Sequence, residues 1–164
     1  MKLYRRRLFD EYVFDTPRYF KTGEDFLMQL RILKNMKGRV LCSTVSKYHY
    51  REVETSASRA FVPTMEYEIQ MLHQVQKLIS FLPESERLAY AHFKFRVAWL
   101  GGMIGLQYPI SYQDKWVVDI LRDSTQYKLT LKEKISVLAV RWTCFRCFLI
   151  FEKKLKHLYR ICVK

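Results

Sequence analysis

Five glycines and four prolines are all the backbone breakers in this chain of 164 residues. Between them, apolar residues recur three and four apart over long stretches, a spacing that places them on one face of a helix. A chain patterned this way is driven towards helices, because its apolar stripes can be buried only by packing helix on helix. After residue 60 the pattern is continuous. Pro63 opens a helix predicted to reach about Leu82, with Met65, Ile69, Leu72, Val75 and Ile79 inward, and Pro83 ends it. A second helix is predicted from about Glu84 to Leu100, with Leu88, Phe95 and Trp99 inward, stopped by Gly101-Gly102. Ser111 and Asp114 have capping-box spacing for a third helix to about Arg122. The last helix is predicted from about Thr130 to near Arg160 on a seam of Leu131, Ile135, Leu138, Trp142, Phe145 and Leu149.

The first 59 residues read differently. Residues 2–20 mix charges and aromatics, with a short helical turn predicted around Arg6 to Glu11. A helix is predicted over 23–37, with Phe26, Leu27, Leu30 and Leu33 at helical spacing and Lys37-Gly38 closing it. RVLC (39–42) and SKYHYR (46–51) carry the β-branched and aromatic residues of short strands, parted at Ser43-Thr44. The fold class is therefore α+β and mainly α, with one boundary near residue 60 that separates 1–59 from a helical region over 60–164. With 49% apolar and 15% aromatic residues, such a chain can build a real core.

The net charge of +13 is unevenly spread. Residues 1–59 hold 13 Lys and Arg against 7 Asp and Glu, residues 60–127 hold 6 against 7, and residues 128–164 hold 10 against 2. Basic ends of this kind attract polyanions, whether anionic lipid, nucleic acid or phosphorylated substrate. In the last helix two readings are open: peripheral contact with an anionic membrane surface, or an apolar seam packed on the other helices with its charges solvated. No apolar stretch is long enough to span a bilayer. Cys144 and Cys147 form a C-x-x-C inside a helical pattern without a second ligand pair, so buried reduced thiols are expected rather than zinc.

Two short stretches carry chemistry. In TGEDFL (22–27), Thr22 and Asp25 stand three apart before an apolar run, the arrangement of a capping box, with Glu24 and Asp25 in the first turn. A carboxylate at a helix head on the rim of a sheet is also well placed to take a proton from a bound hydroxyl. In YHYREVETSASR (48–59), Arg51, Arg59, Ser56 and Ser58 offer guanidinium and hydroxyl donors that suit a pyrophosphate, or simply form a solvated loop.

Taken in order, KLYRR, then GED at a helix start, then a strand, then YHYR and SASR resemble the second half of the catalytic domain of family 2 glycosyltransferases, the GT-A type used for bacterial surface polysaccharides. The resemblance covers about residues 2–59. It implies that Asp25 is the base that deprotonates the acceptor hydroxyl in a single inverting displacement, and that Glu24 supports the acceptor site. It also implies that Arg51, Ser56, Ser58 and Arg59 touch the donor diphosphate; His49 lies where some related enzymes place a metal ligand. The family's nucleotide-binding half, with the D-x-D that holds Mg or Mn on the diphosphate, has no counterpart in these residues. The chain is thus expected to be the C-terminal part of a glycosyltransferase, inactive alone, binding no metal itself, cytoplasmic or peripheral at the inner membrane face, and prone to self-association through uncovered strand edges. In the full-length enzyme the partners are a nucleotide-sugar donor and a glycan or lipid-linked acceptor. The rivals are a basic helical nucleic-acid-binding module, for which no helix-turn-helix or zinc-finger pattern speaks, and a helical scaffold without chemistry.

Overall fold

A computed structural model of the protein describes residues 4–37 and 61–162. The chain divides into two compact units, Met1–Pro83 and Glu84–Lys164. The first holds a 3-10 turn at Arg6–Leu8 and the helices α1 (Glu11–Phe14), α2 (Glu24–Asn35) and α3 (Met65–Ile79). The second holds α4 (Glu86–Gly105), α5 (Lys115–Asp123), α6 (Leu131–Leu138) and α7 (Thr143–Cys162). The protein is mainly helical, and no strand occurs among the described residues. The strands predicted at 39–42 and 46–51, and the boundary predicted near residue 60, lie outside the described residues.

In the first unit α2 packs on α1 and α3. Asp10 caps α1 by accepting the Val13 amide at 2.9 Å. The Asn35 side-chain amide donates to the Leu8 carbonyl at 3.2 Å and to Asp10 Oδ2 at 2.9 Å, which ties the end of α2 to the N-terminal segment. α2 stops at Asn35, with Met36 already extended, short of the predicted Lys37-Gly38 end. It buries Leu27, Leu30 and Ile32, whereas Leu33, predicted inward, is exposed. Arg31 is buried too, donating to Thr16 Oγ1 at 2.7 Å with its guanidinium 5.7 Å from the Tyr12 ring centre. α3 starts at Thr64, which accepts the Tyr67 amide. Its buried stripe is Tyr67, Met71, Leu72, Val75 and Leu78; the predicted Met65, Ile69 and Ile79 are only half-buried. The stripe begins at Tyr67, whose phenol is amphipathic: its ring is buried and its hydroxyl is hydrogen-bonded at Thr22.

In the second unit α4 packs on α5, α6 and α7. The predicted stop at Gly101-Gly102 is wrong: the helix runs through both glycines to Gly105. Its inward residues are Phe93, Val97, Leu100, Met103 and Ile104 rather than Leu88, Phe95 and Trp99. Gly101 and Gly105 serve packing. A Cβ on Gly101 would stand 2.4 Å from Ser136 Oγ of α6, and one on Gly105 would stand 3.4 Å from the Leu149 carbonyl of α7. The helix ends instead at Gln107, which adopts φ 65°. There the Gln107 amide donates to the Ile104 carbonyl and the Tyr108 amide to the Met103 carbonyl, the paired bonds of a Schellman end with glutamine in the left-handed position usually given to glycine.

These glycines make a contrast that can be measured. Alanine is favoured over glycine within a helix by about 1 kcal/mol. At Gly102, where a Cβ meets nothing within 4 Å, Gly102→Ala is expected to stabilise by about 0.5–1 kcal/mol. At Gly101 the collision with Ser136 reverses the sign, and Gly101→Ala is expected to destabilise by about 1–2 kcal/mol. Urea midpoints of the two variants check this; equal shifts would contradict the close approach of α4 to α6.

Ser111 and Asp114 do pair, but one turn early: Asp114 Oδ2 accepts the Ser111 amide at 2.9 Å and the Ser111 hydroxyl accepts the Gln113 amide at 3.1 Å. The N-cap of α5 is Asp114 itself. The single last helix expected over 130–160 is two. α6 opens with a complete capping box between Thr130 and Glu133, and a turn over 139–142 separates it from α7. Val140, Trp142 and Thr143 are weak helix formers, and Ala139 and Val140 reach the core from the turn. The predicted seam consequently fails: Leu149 is buried, but Leu131 is 77% exposed and Leu138 and Trp142 are exposed. Cys144 and Cys147, expected to be buried, are exposed free thiols.

One histidine gives the second unit a pH dependence. Burial, followed by the positive charge of Arg96, lowers the pKa of His92 to about 4, with Asp123 acting in the opposite sense. Arg96 itself is paired with Asp123 at 2.6 Å. Between pH ~6.5 and ~4 the unfolded chain therefore binds a proton at this position that the folded chain does not. The stability due to neutral His92 is complete above pH ~6.5 and is lost as the pH falls towards ~4. Because His92 is only partly buried, the loss is expected to be about 1–2 kcal/mol. His92→Gln is expected to flatten this part of a stability-against-pH curve.

Candidate functional site

The head of α2 is built from a turn that a distant helix holds in place. Gly23 occupies the N-cap position at φ 81°, a left-handed conformation that β-carbon-bearing residues rarely take. A Cβ there would also stand 2.9 Å from Met71 Cε. The preceding residue is clamped from α3. The Thr22 amide donates to Tyr67 Oη at 3.0 Å, and the Tyr67 hydroxyl donates to the Thr22 carbonyl at 2.6 Å. Thr22 Oγ1 lies 3.2 Å from the same phenol oxygen. Around this phenol the rings of Tyr19, Phe20 and Phe61 pack edge-on or tilted, with centroids 6.4, 5.4 and 4.8 Å from the Tyr67 ring.

This overturns the capping expected of Thr22. Its side chain faces Tyr67 rather than the helix, and no side chain caps α2. Glu24 and Asp25 nonetheless stand in the first turn, both exposed. The Phe26 and Leu27 amides bond to the Gly23 carbonyl at 3.0 and 3.1 Å, so the Asp25 carboxylate is not spent on closing the turn. The positive end of the helix dipole favours a carboxylate at this place. Close by is Tyr4, whose phenol pKa is raised, first by burial and then by the negative charge of Asp25. Tyr4 meets Phe9 edge-on at 5.8 Å, and Phe9 stacks on Phe14 at 5.6 Å.

Of the residues singled out in the sequence, Glu24 and Asp25 are thus together at one exposed helix head. Arg51, Ser56, Ser58, Arg59 and His49 lie outside the described residues. Sequence reasoning missed Tyr67 and Tyr4. Tyr67 has no local signal, since its partner is 45 positions away. Among the described residues, no group of three or more His, Cys, Asp or Glu is placed to hold a metal ion.

The second unit has a separate cleft of about 480 Å³, floored by Gly101, Gly102 and Gly105 and walled by Lys132, Lys153 and Lys156 together with Glu133 and Glu152. Its charges are largely paired: Glu152 accepts from Lys132 at 3.4 Å and from Lys156, and Glu133 pairs with Lys94 at 3.0 Å. Pairing of this kind leaves little field for an anion.

Comparison of the chain with protein-family models, with curated proteins and with solved structures finds no match. No helix among the described residues is long and apolar enough to cross a membrane.

Proposed function

We propose that residues 2–59 are the C-terminal portion of the catalytic domain of an inverting glycosyltransferase of the GT-A type, with Asp25 as its base. One observation carries this reading: the Asp25 carboxylate is exposed at the head of a helix whose N-cap is a left-handed glycine, so the side chain is left for another task. In an inverting displacement the acceptor oxygen attacks the anomeric carbon while the bond to the diphosphate breaks, and the hydroxyl proton passes to a nearby carboxylate. Asp25 is that carboxylate, and Glu24, its neighbour in the same turn, hydrogen-bonds the acceptor. Arg51, Arg59, Ser56 and Ser58 neutralise and hold the departing diphosphate. The divalent metal used by the family has no ligand set among the described residues, and no step is assigned to it. In the complete catalytic domain the substrates are a nucleotide sugar and a glycan or lipid-linked acceptor.

The test is sugar transfer by residues 1–164 joined to a nucleotide-binding half of the family, compared with the same protein carrying Asp25→Asn. Transfer in the parent and its loss in the variant are expected. A variant as active as its parent, or a parent without transfer, overturns the reading.

A further inference from the structure

α7 carries apolar side chains on its outward side as well as on its packed side, where Phe145 and Ile150 are half-buried beside Leu149. Its packed side carries Leu149, buried, and Lys153, whose stem lies against α4 at Gly105. Its outward side carries Phe148, Phe151, Leu155, Leu158 and Tyr159, each between 51% and 68% exposed. The first four are spaced three, four and three apart, one stripe along the helix, with Tyr159 at its border. The stripe extends about 15 Å along the helix. Trp142, also exposed, stands just before its start. Exposed Lys154 flanks the stripe, whereas Lys153 and Lys156 lie on the opposite side of the helix at the cleft.

The charge identifies what covers this face. Residues 128–164 carry 10 Lys and Arg against 2 Asp and Glu. A second copy laid on the stripe would bring two such segments together and add their repulsion. A layer of anionic headgroups neutralises them. The helix also has features of one that lies along a membrane surface: aromatic and leucine side chains on one face, a lysine at the border of that face, basic residues elsewhere in the segment, and too little hydrophobicity to span. Trp and Tyr at its ends suit the headgroup level.

We propose that α7 lies flat on an anionic membrane surface, inserting Phe148, Phe151, Leu155 and Leu158 below the headgroups while Lys154 at the edge of the stripe contacts lipid phosphate. This does not rest on the glycosyltransferase reading: it concerns a different unit and a different chemistry.

Flotation of the full chain with phosphatidylcholine vesicles, with and without phosphatidylglycerol, tests it. The expected result is binding to the phosphatidylglycerol vesicles that weakens as salt rises, and weaker binding to phosphatidylcholine alone. Phe151→Asp with Leu155→Asp is expected to reduce binding at least tenfold, on the order of the loss from withdrawing one large apolar side chain; Lys154→Glu is expected to reduce it by about fivefold. Equal helicity by circular dichroism shows that the variants fold. In the unaltered chain, brominated lipid is expected to quench the fluorescence that Trp142→Phe removes, which needs no disruptive variant. The proposal is overturned by absence of binding to anionic vesicles at low salt, by equal binding of the double Asp variant, or by unquenched Trp142. A dimer by light scattering that the double Asp variant abolishes, without vesicle binding, assigns the face to a second copy and also overturns it.

Discussion

Phe93→Ala is expected to destabilise the second unit by about 3–5 kcal/mol. The ring is completely buried on α4, among the largest side chains with no solvent contact, and it stacks on Tyr127 with centroids 4.8 Å apart. Truncation removes the transfer free energy of the ring, leaves a cavity between elements that cannot fully close, and forfeits an aromatic pair contributing about 0.5–1.5 kcal/mol. Phe93→Leu, which keeps most of the volume, is expected to lose about 1–1.5 kcal/mol. Urea denaturation of the two variants reads the difference directly. The midpoint falls while the slope with denaturant stays constant, because the surface exposed on unfolding hardly changes. A loss below about 1 kcal/mol for Phe93→Ala would mean that this ring is not at the centre of the unit.

On the proposed glycosyltransferase reading, Asp25→Asn is expected to slow sugar transfer by about 10²–10⁴-fold in the protein joined to a nucleotide-binding half, a loss of about 3–5 kcal/mol of transition-state stabilisation. The amide is nearly isosteric and cannot accept the proton. The same change should barely alter folding. An exposed first-turn carboxylate gains about 0.3–1 kcal/mol from the helix dipole, and that is all its loss removes. The split between the two readouts decides between the two roles open to this residue. If Asp25 serves only the helix, stability falls slightly and transfer is unchanged. If it is the base, transfer collapses while the denaturation midpoint stays within about a kcal/mol. Glu24→Gln, in an orienting role, is expected to give the smaller kinetic effect.

The number of helices after residue 60 was almost legible, because Pro63 and Pro83 and the apolar spacing fall where local chemistry decides. Which faces are buried was less so. Ile69 and Ile79 fit a helical stripe as well as Met71 and Leu78 do, and the stripe lies where Tyr67 reaches a turn 45 residues away, which spacing does not encode. Gly101-Gly102 reads as a stop because glycine is a poor helix former. Its role as a flat patch for α6 appears only once Ser136 is seen against it. The break at 139–142 was hidden by a seam that continues through it on paper. At the candidate site, the place of Glu24 and Asp25 in a first turn was legible from acidic residues before an apolar run. The device that sets the turn was not: Thr22 looked like a cap, and the left-handed Gly23 with its tyrosine clamp took over.

That clamp makes the geometry at residue 25 a borrowed property. The Gly23 carbonyl joins the turn to its own helix, but at Thr22 a single phenol anchors it to a helix remote in sequence. Any fluctuation that lifts the start of α3 therefore loosens the carboxylates before it touches the core beneath them. Their positional accuracy is governed by the fraying of a helix to which neither of them belongs.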